Sequence, residues 1–160
     1  MNKRNIILIG MPGAGKSSVG VILAKVLGYE FIDTDLVIQH REKRLLREII
    51  ADEGNEGFLA IENEVNATLE ANKSVIAPGG SAIYGKEAME HFKEIGTIVY
   101  LKLSYEDLAK RLGNLKGRGV VLKEGQTLKD LYDERSKLYE QYAEITVDES
   151  GRDIQGTILA

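Results

Sequence analysis

The sequence predicts a three-layer α/β sandwich around a parallel sheet, and three observations carry that expectation. Short apolar runs of β type alternate along the chain with longer stretches of helical period, the order that parallel strands joined by crossover helices require. The first apolar run feeds directly into a glycine-rich turn, Gly10-Met11-Pro12-Gly13-Ala14-Gly15-Lys16-Ser17, which opens a helical stretch. Two later helical stretches begin on Ser104-x-x-Asp107 and Thr127-x-x-Asp130, where a side-chain oxygen can accept an N–H of the first turn.

Taken in order, the expected strands are residues 5–9, 30–32, 74–77, 97–103 and 144–147. Each is a run of four to seven mostly apolar residues, or a shorter one at the second position, as strands covered on both faces read. The expected helices are 16–27, 36–52, 56–72, 86–94, 105–112 and 128–142, with a short helical tail near 153–159. No linker, repeat or low-complexity stretch divides the chain, so residues 1–160 are read as a single domain. Ligands of such sheets sit at the carboxyl ends of the strands.

Composition narrows the function classes. The 160 residues are 43% hydrophobic and 29% charged, as in ordinary soluble domains. A net charge of −4 argues against a nucleic-acid partner, because phosphate-backbone binding needs a basic face. With no cysteine, disulfides and thiolate metal sites are excluded. The apolar run after Lys3 and Arg4 is broken by Pro12 and three glycines and is followed by no cleavage site, so it is not read as a signal peptide. No stretch approaches the ~20 apolar residues of a bilayer span. The expectation is a cytoplasmic monomer without membrane association.

The glycine-rich turn is the strongest chemical signal. In the pattern G-x-x-x-x-G-K-S, the glycines let the backbone turn tightly and point consecutive N–H groups inward, making an anion seat at a helix N-terminus. Lys16 can then reach the β- and γ-phosphates of a nucleotide, and Ser17 can ligate the accompanying Mg²⁺. Asp33-Thr34-Asp35 closes the second strand. One of its carboxylates can serve the metal and the other can take the proton of an attacking hydroxyl, although Asp35 is equally suited to cap the helix that follows. Pro78-Gly79-Gly80-Ser81 follows the third strand, either as a simple turn or as a place where backbone N–H groups approach a ligand. Residues 112–121 hold three glycines, Lys116 and Arg118, the make-up either of a mobile cover whose cation stabilises a transferring phosphoryl group or of a solvated loop. Arg135 can fork onto a carboxylate or pair with its neighbours Asp133 and Glu134. His40 and His91 fit no ligand spacing.

These segments together resemble the shikimate kinases of the nucleoside-monophosphate-kinase-like group of P-loop folds. The resemblance rests on residues 7–20, on Phe31-Ile32-Asp33-Thr34-Asp35, on Glu53-Gly54-Asn55-Glu56-Gly57-Phe58 with Glu62, and on Gly79-Gly80, Arg118 and residues 134–139. It implies a five-stranded parallel sheet of order 2-3-1-4-5, acceptor-binding helices over about 36–72 and a lid over about 112–124. It also implies ATP with Mg²⁺ as phosphoryl donor and a small hydroxylated acceptor, shikimate first. Carried over, the resemblance seats ATP on Gly13, Ala14, Gly15, Lys16, Ser17 and Ser18, with Arg111 near adenine and Arg118 as the lid cation. Ser17 and Asp33 fall on the metal. Asp35, Gly79, Gly80 and Arg135 fall on the acceptor, and Lys16, Asp35 and Arg118 are the catalytic set.

The departures bear on the acceptor. The arginine that usually follows the motif phenylalanine is Leu59, the third glycine is Ser81, the proline after the lid arginine is Gly119, and a tail proline is Ile154. A bidentate charged contact contributes about 1.5–3 kcal/mol, so Leu59 is expected to weaken shikimate binding. It leaves open a different hydroxylated acid or polyol, or a nucleotide-binding protein with little turnover. Lys43, Arg44 and Arg47 are candidates to replace the missing cation.

Overall fold

A computed structural model describes residues 5–113 and 126–148. The chain runs β1 (Asn5–Ile9), α1 (Lys16–Leu27), β2 (Glu30–Asp33), α2 (Thr34–Glu42), α3 (Leu46–Ala67), β3 (Ser74–Ala77), a 3₁₀ turn (Ala82–Tyr84), α4 (Lys86–Ile95), β4 (Gly96–Lys102), α5 (Tyr105–Gly113), α6 (Leu128–Tyr142) and β5 (Ile145–Asp148). The five strands form one parallel sheet in the order β2-β3-β1-β4-β5, as expected.

Strand periodicity sorts the core into layers. Ile7 and Ile9 of β1, Ile76 of β3, and Ile98 and Tyr100 of β4 face one side, where Met89 and Phe92 of α4, Leu108 of α5, and Leu131 and Tyr139 of α6 cover them. The alternate residues Leu8, Val75 and Leu101 face the other side and meet Val19 and Ala24 of α1. Because successive side chains point to opposite faces, one set of strands feeds two cores. α2 and α3 close a third, smaller cluster around Ile38, Ile49, Phe58 and Val65.

Asn5 fastens the end of the sheet opposite the phosphate loop. Its buried amide donates to the carbonyls of Ala71 and Ile95, each at 3.0 Å, and accepts the Ser74 N–H at 3.0 Å. One side chain thereby ties β1 to the entry of β3 and the end of α4.

Both helix-start signals are observed. Ser104 Oγ accepts the Asp107 N–H at 3.2 Å, and Thr127 and Asp130 form a reciprocal capping box. The acceptor-side helices differ from expectation. Instead of breaking between 52 and 56, the chain breaks at Lys43–Leu45. Lys43 there takes a left-handed φ of 55° and closes α2, and Glu48 Oε1 accepts the Leu45 N–H at 2.9 Å to open α3. Gly54, with φ 75° and ψ 175°, only kinks α3, which ends at Ala67 rather than 72. β4 and β5 are each displaced by one residue from the expected 97–103 and 144–147. The expected tail helix near 153–159, most of the expected lid, Arg118, Gly119 and Ile154 lie outside the described residues.

Replacing Asn5 by alanine leaves one buried N–H and two carbonyls without their partner. The expected loss is about 2–4 kcal/mol in urea unfolding, against less than about 0.5 kcal/mol for Lys25→Ala on the exposed face of α1.

Candidate active site

The carboxyl end of β1 opens into the glycine-rich turn. Gly13 and Gly15 sit at φ 90° and 84°, a left-handed region that side chains with a Cβ enter at a cost. Ala14 N–H donates to Met11 O at 3.0 Å, closing the bend. A Cβ on Gly10 would lie 2.9 Å from the Leu101 carbonyl of β4, so the turn leaves the sheet through a gap only glycine fits. Gly15 caps α1 without a side-chain bond, and no acid occupies the first turn. The first-turn N–H groups of Lys16, Ser17 and Ser18, with the positive end of the helix dipole, form an electropositive end.

Lys16 Nζ donates to the carbonyls of Gly10 at 2.8 Å and Met11 at 3.0 Å, so its ammonium lies across the mouth of the bend. Ser17 and Ser18 are exposed beside it. Arg111 crosses from α5, and its Nη1 donates to Gly13 O at 3.0 Å. The nucleotide-side residues expected from the sequence, Arg118 excepted, therefore gather around one loop.

Asp33 and Asp35 divide differently from the sequence reading. The helix cap is Asp33, whose Oδ1 accepts the Asp35 N–H at 2.9 Å. The capping role considered for Asp35 is thus filled two residues earlier, and its carboxyl turns toward Gly79. A Cβ placed on Gly79 would lie 2.9 Å from Asp35 Oδ1 and 3.0 Å from Glu62 Oε2. On Gly80 it would lie 2.7 Å from Pro12 Cδ and 2.9 Å from Arg135 Nη1. Two adjacent glycines thus form a floor bounded by two acids, one arginine and the phosphate loop itself.

Three contacts fix that floor. Tyr139 Oη donates to Gly80 O at 2.7 Å. Arg135, only 1% exposed, lies over the Tyr84 ring with its guanidinium carbon 5.5 Å from the centroid. Tyr84 Oη donates to Glu134 Oε2 at 2.6 Å. Arg135 is therefore held by Tyr84 and the glycine floor, while Glu134 is bound to Tyr84; Asp133 of the same helix pairs with Lys129 at 3.0 Å.

Burial pushes the Asp35 carboxyl up to about 6; the nearby Asp33 anion adds to the rise and Lys16 opposes it. A proton acceptor poised in that range suits proton transfer near neutrality. Glu62 is 1% exposed and rises to about 7. Burial is the main cause, the Ser81 hydrogen bond lowers it, Asp35 raises it, and Arg135 and Lys16 lower it. The sequence reading gave Glu62 no role. Its signal was a charge on the buried face of α3, in helical register with Phe58, Val65 and Asn66, where acids rarely sit without a task. Tyr84 and Tyr139 carry no comparable signal, because their contacts are made by the fold.

Leu59 packs with the apolar cluster of α2 and α3. Of the three substitutes considered for the missing cation, Arg44 is engaged by Glu42, Asp52 and Glu53 at 3.0, 3.2 and 3.4 Å. Lys43 and Arg47 are exposed.

Comparison with known proteins identifies the family. A family model described as shikimate kinase matches residues 12–158. A shikimate kinase 2 of Yersinia enterocolitica is 34% identical over 154 residues, covering 91% of this chain and 86% of the relative. Among solved structures, a shikimate kinase from Acinetobacter baumannii in complex with shikimate superposes with a TM-score of 0.79 at 36% identity, over 90% of this chain and 82% of that one. A shikimate kinase from Aquifex aeolicus gives 0.77 at 30% identity, over 97% and 91%.

The raised Asp35 carboxyl has a stability consequence. A folded-state value near 6 against an ordinary 3.8 means the native protein binds this proton more tightly than the unfolded chain does. Its contribution is fully present below pH 4 and is lost as pH rises through 6. Asp35→Asn is therefore expected to stabilise the protein by about 1–3 kcal/mol at pH 8 and by little at pH 4, as read from urea midpoints at the two pH values.

Proposed function

The chain belongs to the shikimate kinase family, and from that premise we propose that it transfers the γ-phosphoryl group of ATP to a ring hydroxyl of shikimate. The observation that carries the acceptor assignment is the floor of Gly79 and Gly80. There Asp35, Glu62 and Arg135 converge beside Pro12 of the phosphate loop, an arrangement suited to a small ring bearing hydroxyls and one carboxylate.

In this reading the first-turn N–H groups from Gly13 to Ser18 and the Lys16 ammonium hold the phosphate tail and neutralise the charge that spreads over the transferred group. Arg111 flanks the base, and Arg135 clamps the acceptor carboxylate. Backbone N–H groups of Gly79 and Gly80 line the ring, which leaves no room for a side chain there. Asp35 orients the attacking hydroxyl and takes its proton. Arg118 is assigned to the lid on resemblance alone.

Mg²⁺ fits the residues present. Ser17 in the first turn of α1 and Asp33 at the end of β2 are hard oxygen donors, and among the described residues no cluster of three or more His, Cys, Asp or Glu forms an all-protein cage. That donor set suits an ion that keeps waters and leans on phosphate oxygens. When bound, the ion supplies further neutralisation of phosphate charge. The enzyme is read as a cytoplasmic monomer. Among the described residues no helix is long and apolar enough to cross a membrane.

The test is ADP release in a coupled assay with and without shikimate. Wild-type protein is expected to release ADP only with the acceptor present. Lys16→Met should lower kcat by at least about a thousandfold, and Asp35→Ala by about 10²–10⁴. The acid limb of the wild-type pH–rate profile should fall with an apparent pKa near 6. Full turnover by Asp35→Ala would overturn its role.

A further inference from the structure

Tyr84 stands where two charged neighbours of α6 meet, and the chemistry above gives it no task. Consecutive residues of a helix point about 100° apart, so Glu134 and Arg135 leave α6 in different directions. Both nevertheless end on this one side chain. Tyr84 Oη donates to Glu134 Oε2 at 2.6 Å, and the Arg135 guanidinium carbon lies 5.5 Å from the centre of the Tyr84 ring. The phenol separates an anion from a cation, binding the first by its hydroxyl and the second by its face.

Arg135 is in an exacting place for a charge. It is buried, its Nε has no hydrogen-bond partner, and its Nη1 lies 2.9 Å from where a Gly80 Cβ would stand. A buried guanidinium is costly unless something of opposite polarity faces it. The acids around it are engaged elsewhere. Glu134 is turned to Tyr84, Asp133 pairs with Lys129, and Glu62 gives Oε1 to Ser81. An aromatic face stabilises a cation without neutralising it, which a carboxylate in the same place would do.

We propose that Tyr84 is a positioning residue for recognition of the acceptor's carboxylate: its ring backs the Arg135 guanidinium and its hydroxyl keeps the Glu134 anion off it, so Arg135 meets the acceptor with its charge intact. The inference rests on the acceptor reading above and adds a residue that acts through Arg135. Burial and the bond to Glu134 push the Tyr84 phenol up, and Arg135 opposes the rise, so the phenol remains a donor at neutral pH. Leu59 lies in the apolar cluster and supplies no cation where the family resemblance expects one, which makes the availability of the Arg135 charge weigh more.

The experiment measures kcat, KM for shikimate and KM for ATP near neutral pH in wild type, Y84F, E134Q and the double variant Y84F/E134Q. Y84F keeps the ring and removes the hydroxyl that holds Glu134, so KM for shikimate should rise about tenfold while kcat and KM for ATP stay within about twofold. E134Q leaves an amide oxygen to accept from Tyr84 and removes the anion, so its KM for shikimate should stay near that of wild type. In the double variant no anion is left to hold away, and KM for shikimate should return to within about threefold of wild type. A phenol that only braces the fold would move all three constants, and deleting a neighbouring charge would not rescue its loss. An unchanged KM for shikimate in Y84F, an equal rise in KM for ATP, or a double variant as impaired as Y84F would each overturn the role of Tyr84. Absence of shikimate-dependent ADP release in wild type would instead overturn the acceptor assignment and this inference with it.

Discussion

The site is organised by a bend that only glycine can make. Gly13 and Gly15 hold left-handed backbone between β1 and α1, and α1 consequently begins with neither a side-chain cap nor an acid in its first turn. In most helices such an end would be a defect needing repair. Here the first-turn N–H groups are directed to the edge of the sheet where phosphate chemistry is expected. The parallel register then brings β2 and β3 to the same edge, through the pairs Asp33 with Ala77 and Ile7 with Ile76. The acids after β2 and the glycine floor after β3 reach the phosphate loop because β1 lies at the middle of the sheet.

The acceptor side is built on the opposite principle, burial of charge. Glu62 and Arg135 are buried and Asp35 half-buried around two glycines, and the raised carboxyls of Asp35 and Glu62 mark an electrostatic cost of that burial. That cost fits the acceptor role proposed for them, since apolar residues would have packed there more cheaply. The nucleotide side contrasts with it. Its serines are exposed, and its lysine spans a loop of carbonyls.

The architecture was legible because two periods alternate in the sequence. Each strand lies within one residue of its expected place, the sheet order is the one the family resemblance implies, and the caps at Thr127 and Ser104 match expectation, with partners three residues away. The break at Lys43–Leu45 was not legible. A lysine takes the left-handed position usually given to glycine, and α3 starts without Ser, Thr, Asp or Asn, leaving only Glu48 as half a signal. Gly54 looked like the end of a helix and proved a kink, because α3 has partners on both sides of it. At the site, Asp33 and Asp35 were recognised as a pair, but which one caps depends on where α2 begins. Ser81 looked like a mere departure from the family pattern. Its partner Glu62 is nineteen residues away, and no local pattern encodes that meeting.

Tyr139 bonds the Gly80 carbonyl, and Tyr84 grips Glu134 while its ring supports Arg135. Two phenols thus rivet α6 to the segment after β3, so the wall proposed to meet the acceptor ring is built as one plate. A plate of that kind cannot remodel itself around a larger or differently substituted guest. Under the proposed reading, discrimination on this side works as a gauge does, by fixed clearance, and adaptability resides in parts of the chain that these rivets do not reach.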